Sequence, residues 1–428
     1  MTGERSKCPS FIYETNVMVS NYVTQFDLVC DQEYLLKWLD SIYFIFQTFT
    51  WLWAIISDIV GRKIIISALV CGQMSAAIII LFAENLILLF ICRAILGVCS
   101  MLTYFGFFYI MEILPESKRF WSNSYWTSWS IGYCLTTIVA YFGRSSFWIH
   151  LFALVPIAMY IPLLIFMKES PSWLMTRNRF DESAAIIASI AKLNKSTNPI
   201  DKEQLINELK AEKANKDKIQ VSESLLSYCM KFRLFMTSAI LAITYCFLVS
   251  GYYVISNSTS FLFENLYLNT IVQGLLEIPT SITSALICMY FKRRLTNISL
   301  ILLVAICILI NGFLANYETL KIIFGIIGKF ALANALCTVS YVVGEVTPVS
   351  LHGSGFFSVV TLAHLISAFS SFIYRTSLPI HIVYSAFALA LSVSSILLFV
   401  LVPETKNVNS ILTISDAINL HKTKQCIL

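Results

Sequence analysis

Charge is what this chain has least of. Only 13% of its 428 residues are Asp, Glu, Lys or Arg, about half the rough quarter that a soluble domain carries. That scarcity excludes an ordinary water-facing surface and puts the chain in lipid. The net charge of +5 is small for the length and offers no footprint for nucleic acid. The 12 cysteines are mostly scattered through apolar runs without metal-ligand spacing, so they read as small buried hydrophobes. Residues 1–33 are polar and contain no apolar core, so no cleavable signal is expected there. Cys426 stands one place too late for a prenylation box. Gly325-Ile-Ile-Gly-Lys329 lacks both the spacing and the Ser/Thr of a nucleotide-binding loop. No catalytic constellation sits in any connector. An enzyme and an ATP-driven pump are therefore not expected, nor is a cofactor, a metal or ATP.

What is present is hydrophobic length. The chain is 57% hydrophobic with a mean hydropathy of +0.74. Runs long enough to cross a hydrocarbon core of about 30 Å lie near 34–57, 64–82, 86–112, 123–143 and 147–167. After a charged segment, 168–231, more follow near 232–256, 266–291, 297–316, 320–345, 353–373 and 379–402. All are expected to be helices, because lipid tolerates no unpaired backbone. Lys and Arg crowd one set of connectors: Arg62-Lys63, Lys118-Arg119, the 168–231 segment, Lys292-Arg293-Arg294 and Lys406. That side is cytoplasmic. The N-terminal tail is then external, where Cys8 and Cys30 can pair. The sequon at Asn257 is also external and open to glycosylation, whereas those at Asn194 and Asn297 are idle. Within the linker, 181–193 reads as an amphipathic helix with acids in its first turn, and 201–216 as a more charged one. A tether packed on the inner face is the plain reading; a regulatory surface is the sharper one.

The chain repeats itself. Glu112-Ile-Leu-Pro-Glu-Ser-Lys-Arg119 returns as Glu345-Val-Thr-Pro-Val-Ser-Leu-His352, an offset of 233 positions from Glu112 to Glu345. Gly61-Arg-Lys63 and Lys292-Arg-Arg294 are offset by about 231, and Glu169 and Glu404 by 235. Two similar halves joined by 168–231 make an all-α membrane protein of the major-facilitator, parallel-repeat kind. The expected organisation is the end of an external loop (1–33), an N-terminal bundle (34–167), a cytoplasmic linker (168–231), a C-terminal bundle (232–402) and a cytoplasmic tail (403–428). Eleven spans are visible, five and then six. The position that answers the first span of the second half is polar. Either that helix is absent or the sequence begins downstream of it, and the second is the expectation.

These motifs resemble the organic cation, anion and carnitine transporters of the major facilitator superfamily, over nearly all of residues 8–404. Thr24-Gln-Phe-Asp-Leu-Val-Cys-Asp31 is similar to that family's Glu-Trp-Asp-Leu-Val-Cys segment. Ser57-Asp-Ile-Val-Gly-Arg-Lys63 matches its Asp-x-x-Gly-Arg-Lys loop, Arg93-Ala-Ile-Leu-Gly97 its Arg-x-x-x-Gly, and Glu169-Ser-Pro-Ser-Trp-Leu174 its Glu-Ser-Pro-Arg-Trp-Leu. The resemblance implies two pseudo-symmetric bundles, a small organic ion as substrate, alternating access, and a lipid bilayer, most simply the plasma membrane. It puts Asp58, Gly61, Arg62, Lys63, Arg93, Glu112, Arg119, Glu169, Glu345 and His352 in the gating machinery. His352 stands where the family has arginine, which weakens the second copy of the gate.

Ionisable groups inside spans cost roughly 2.5–3.5 kcal/mol unless paired or wet, so each is a candidate. Glu277, two residues before Pro279, reads as a cavity carboxylate or as a packing acid; Lys329 lines the cavity or pairs with it. His364 is placed by the resemblance where cation carriers have aspartate and anion carriers arginine, leaving the charge class of the substrate open. Ile366, Ser367 and Ser371 replace the family's helix-breaking residues, so a stiffer helix is expected. Aromatic walls suit amphiphilic ions, with Tyr104, Phe108, Tyr245 and Tyr252 as the residues proposed to line the site. The competing reading is a diverged, non-transporting membrane binding protein.

Overall fold

The computed structural model describes residues 12–15, 17–195, 201–219, 230–257, 263–314, 317–347, 352–369, 379–406 and 417–418. Residues 19–20 lie across the outer end of the first half. Val19 N–H bonds the carbonyl of Arg144 at 2.7 Å, and Ser146 N–H bonds that of Ser20 at 3.0 Å. The short helix α1 (Tyr22–Phe26) follows, closed by an Asn21/Thr24 capping box.

The first half then runs α2 (Tyr34–Gln47), α3 (Thr50–Val60), α4 (Arg62–Leu81), α5 (Leu86–Cys99), α6 (Leu102–Ile113), a 3-10 stretch Glu116–Trp126, α7 (Thr127–Gly143) and α8 (Ser146–Phe166). Two runs expected to be single helices are interrupted. The 34–57 run breaks at Thr48-Phe49, and the 86–112 run breaks at Ser100-Met101. Both break residues keep right-handed helical angles, so the spans bend rather than stop. Ser100 and Thr48 each bond a carbonyl three residues back, a habit that bends helices. The two bends are tied together by Gln47 Nε2 donating to Ser100 Oγ at 2.8 Å. Gly97 permits this: a Cβ there would lie 2.4 Å from the carbonyl of Tyr43.

The linker forms α9 (Pro171–Thr176), α10 (Phe180–Leu193) and α11 (Lys202–Ile219). Trp173 Nε1 donates to the Asp58 carbonyl at 2.9 Å and Arg177 Nη2 at 2.7 Å, so the linker starts docked under α3. The second half is α12 (Phe232–Asn257), α13 (Leu266–Tyr290), α14 (Arg293–Phe313), α15 (Glu318–Val346), α16 (His352–Ser367) and α17 (Ile380–Leu401).

Among the described residues, 9 helical stretches are long and apolar enough to span a membrane. The expected run at 123–143 is instead the 3-10 stretch followed by α7, and that at 353–373 is the shorter α16. One continuous core joins both halves, with Leu248, Val339 and Val360 fully buried alongside Phe107 and Phe356. Outward-facing apolar residues form the belt a bilayer covers, among them Phe166 at 78% and Ile165 at 72% exposure.

The repeat is matched in packing only in part, where α17 lies on α14 as α8 lies on α4. In the second half α17 lies against α12 and α14 and buries Tyr384, Ala388, Leu391 and Leu398. Its counterpart α8 packs on α4 and α7 and has no buried residue.

Candidate functional site

The halves meet along α7 with α13, and along α2 and α3 with α16. Thr127 Oγ1 and Ser281 Oγ bond across the first seam, and Ser41 Oγ donates to the Ala368 carbonyl across the second at 2.7 Å. Between the seams lies a cavity of about 210 Å³, of a size for a small molecule rather than a drug-sized one. Its wall is largely aromatic. Tyr43 comes from α2, Tyr104 from α6, Trp126 and Trp129 from the α7 entry, and Tyr245 and Tyr252 from α12.

Of the residues expected at the site, Tyr104, Tyr245, Tyr252, Glu277 and His364 line this cavity. Phe108 does not. It shares a helix face with Tyr104, four residues on, but that face continues into the core, where Phe108 sits 4.5 Å from the Phe356 ring and 5.1 Å from Phe357. Lys329 also leaves the wall. It is 0% exposed, and its Nζ lies 2.9 Å from Glu277 Oε1 and 2.6 Å from Ser256 Oγ. The same ammonium stands 3.8 Å above the Tyr252 ring. Tyr252 in turn donates to Glu277 Oε2 at 3.2 Å and accepts from Trp129 Nε1 at 3.1 Å. The pair is thus electrically closed and stitched to both halves. Of the two open readings for Lys329, pairing with Glu277 is the one the geometry takes.

His364 has no such partner. It is 2% exposed, its ring edge meets Tyr104 at 5.7 Å, and neither ring nitrogen is hydrogen-bonded. A buried polar ring left open toward a cavity is a group waiting for a ligand or a water.

The charge motifs assemble at the inner ends of the helices. Gly61 has φ +107°, a conformation side chains rarely take. It turns the chain so that the Glu169 carboxylate caps α4, accepting from Arg62 N at 2.9 Å and Lys63 N at 3.1 Å. The Arg62 guanidinium bridges Asp58 at 2.9 Å and Glu112 at 3.1 Å. The second half repeats the cap and the Glu112 bridge, with Met289 where the offset from Asp58 falls. Glu404 caps α14 by accepting from Arg293 N at 2.9 Å and Arg294 N at 3.2 Å. Arg293 Nε meets Glu345 at 3.0 Å, and Thr405 donates to that same carboxylate at 2.7 Å. Arg293, Glu404 and Thr405 were missed as site residues, although the offset of 231–235 points at their positions.

Arg119 is half-buried on the 3-10 stretch beyond Glu112. His352 opens α16, and its side chain lies outside the described residues. Arg93 is not part of this assembly, because 19 residues of α5–α6 separate it from Glu112, about 28 Å of helical rise. Asn257 ends α12, while the rest of its sequon lies outside the described residues, as does Cys8, the proposed partner of the exposed Cys30.

Comparison with known proteins agrees with this architecture. The model of the family described as "Sugar (and other) transporter" matches residues 6–412. Solute carrier family 22 member 4 of Mus musculus is 26% identical over 78% of this chain and 61% of its own length. The organic cation transporter protein of Drosophila melanogaster is 24% identical over 98% of this chain and 78% of its own. Human organic cation/carnitine transporter 2 is 23% identical over 80% of this chain and 62% of its own. The chain therefore spans about three fifths of the length of the mouse and human relatives. In fold it superposes on the proton:xylose symporter XylE bound to 6-bromo-6-deoxy-D-glucose, with a TM-score of 0.72 at 18% identity, over 91% of this chain and 90% of that one.

Proposed function

Because the chain belongs to the sugar (and other) transporter family, we propose that it carries a small organic ion across a membrane by alternating access of its two helical halves. The cavity carries this reading. It is shared between the halves, walled by aromatic rings, and lined by His364 with both ring nitrogens open. Rings hold the apolar body of an organic ion and, for a cation, contribute about 0.5–2 kcal/mol through the ring face. The Arg62 and Arg293 clusters serve as inner latches, each holding the helix ends of its own half until the halves tilt. The relatives' names support organic cations and carnitine as the substrates to test first, and the plasma membrane is the proposed location.

Tracer uptake by cells expressing the full chain at their surface tests the proposal. Saturable uptake of at least one cationic or anionic organic tracer is the expected result; none across a broad panel would leave the carrier reading without support. Once a substrate is known, His364→Asp should shift preference toward cations and His364→Arg toward anions, each by tenfold or more. Unchanged preference in both would remove His364 from the site.

A further inference from the structure

The charge clusters at the inner ends each stay within one half, Arg62 with Asp58, Glu112 and Glu169, and Arg293 with Glu345. At the outer ends a neutral segment crosses between the halves. Residues 17–20 run over the α7–α8 turn, where Val19 N–H donates to the Arg144 carbonyl at 2.7 Å and the Ser20 carbonyl accepts from Ser146 N–H at 3.0 Å. The last carbonyls of a helix have no partner within it. Arg144, left-handed at φ +50° just after α7, offers its own carbonyl to the segment. Further along, Gln25 Nε2 donates to the Ala83 carbonyl between α4 and α5 at 3.1 Å, and the Tyr22 hydroxyl is bonded to His150 of α8. The segment and the helix α1 that follows it are therefore fastened to the first half.

Tyr267, the second residue of α13, brings the second half to it. Its hydroxyl donates to the Val17 carbonyl at 2.5 Å, and the Ala140 carbonyl of α7 lies 3.4 Å away. The Tyr267 ring meets the edge of Tyr141, also of α7, at 5.2 Å. One hydroxyl of the second half thus sits between the segment and a helix of the first. It stands at the outer end of the seam that Gly274 and Cys134 close further in, seven residues or about 10 Å along α13. The acceptor on the segment is a main-chain carbonyl, so the contact is set by where the segment is fastened rather than by its side chains.

We propose that residues 17–20 are an external strap that holds the outer end of the α7–α13 seam closed, so that the outer mouth of the cavity opens on the α2–α16 side. The proposal rests on the two moving halves of the carrier reading and adds to the inner latches a restraint that joins one half to the other. A single neutral hydrogen bond shifts a two-state equilibrium by about two- to tenfold. That is enough to decide which of two seams parts more often without locking either.

Cys337, half-buried in the cavity wall, reports external access without a substrate. Cells carrying the full chain at their surface are treated with a small membrane-impermeant methanethiosulfonate, and modification is read at each cysteine by mass spectrometry. The exposed Cys30 of the N-terminal segment is the internal standard. Tyr267→Phe, which keeps the ring and removes the hydroxyl, should speed modification of Cys337 about two- to tenfold relative to Cys30. Val19→Pro, which removes the N–H that fastens the strap to Arg144, should act in the same direction and serves as the readout if Tyr267→Phe does not reach the surface. The side of opening is read by bridging Ser41→Cys to Ala368→Cys. The bridge should slow modification of Cys337, and adding Tyr267→Phe should restore it. An unchanged rate in both Tyr267→Phe and Val19→Pro, or a bridge that slows modification equally with and without the Tyr267 hydroxyl, would overturn the proposal. A changed rate in a chain that takes up no tracer would instead count against the carrier reading and leave the strap standing.

Discussion

At the scale of single residues, the chemistry turns on which charges are already answered. Glu277 and Lys329 were legible in the sequence because ionisable groups inside apolar runs are rare and costly. Their pairing was one of two open readings, and the structure supplies the reason it wins. Tyr252 and Trp129, 123 residues apart, close the network around the pair, a contact that no local pattern announces. Phe108 was misplaced for the converse reason. Helical spacing put it on Tyr104's face, but the rings of Phe356 and Phe357 fill the space that face looks onto. Breaking the buried pair on one side leaves a charge without a partner. Lys329→Met and Glu277→Gln are each expected to lower stability by about 3–5 kcal/mol, and the double variant to recover most of that loss. Thermal unfolding of the three purified variants decides it. A double variant no more stable than Lys329→Met would mean that the loss came from packing.

At the scale of elements, the inner turns were the most readable feature and the helix bends the least. The Asp-x-x-Gly-Arg-Lys stretch, 57–63, declared its turn through the glycine and its partners through the repeated acids. The bends at Thr48-Phe49 and Ser100-Met101 did not, because every residue there is compatible with a helix. Thr48 and Ser100 bond carbonyls of their own helices, and the Gln47–Ser100 contact fixes the two bends against each other, a tertiary link that no local pattern announces. The glycine argument can be checked by contrast. A Cβ on Gly61 would sit 2.5 Å from Glu169 Oε2 on a backbone at φ +107°. Gly61→Ala should therefore displace the acid that caps α4 and cost about 1–3 kcal/mol. At Gly132, in α7, a Cβ would meet nothing within 4 Å. Gly132→Ala should be neutral or stabilise by up to about 1 kcal/mol. If the two alanines unfold at the same temperature, Gly61 is not holding the turn.

At the scale of the whole molecule, two halves around one cavity can expose it alternately only if some contacts between them persist while others break. The repeat made the halves legible from sequence; which contacts serve as pivot was not, since each joins residues more than a hundred positions apart. On the α7–α13 seam, Gly274 of α13 lies against Cys134 of α7, with a Cβ at 2.6 Å from that sulfur. On the other seam, toward the outer end of α2, Ser41 holds the Ala368 carbonyl at the end of α16. Rocking about the α7–α13 seam keeps the first contact and opens the second. Gly274→Cys, oxidised onto Cys134, should therefore retain uptake. The pair Ser41→Cys and Ala368→Cys, oxidised or bridged by a short bifunctional thiol reagent, should lose it and regain it on reduction. Mass spectrometry establishes that each link has formed, and uptake is then measured with and without reductant. Full transport with the outer link closed would mean that the halves do not separate there, and the motion would have to be sought within one half instead.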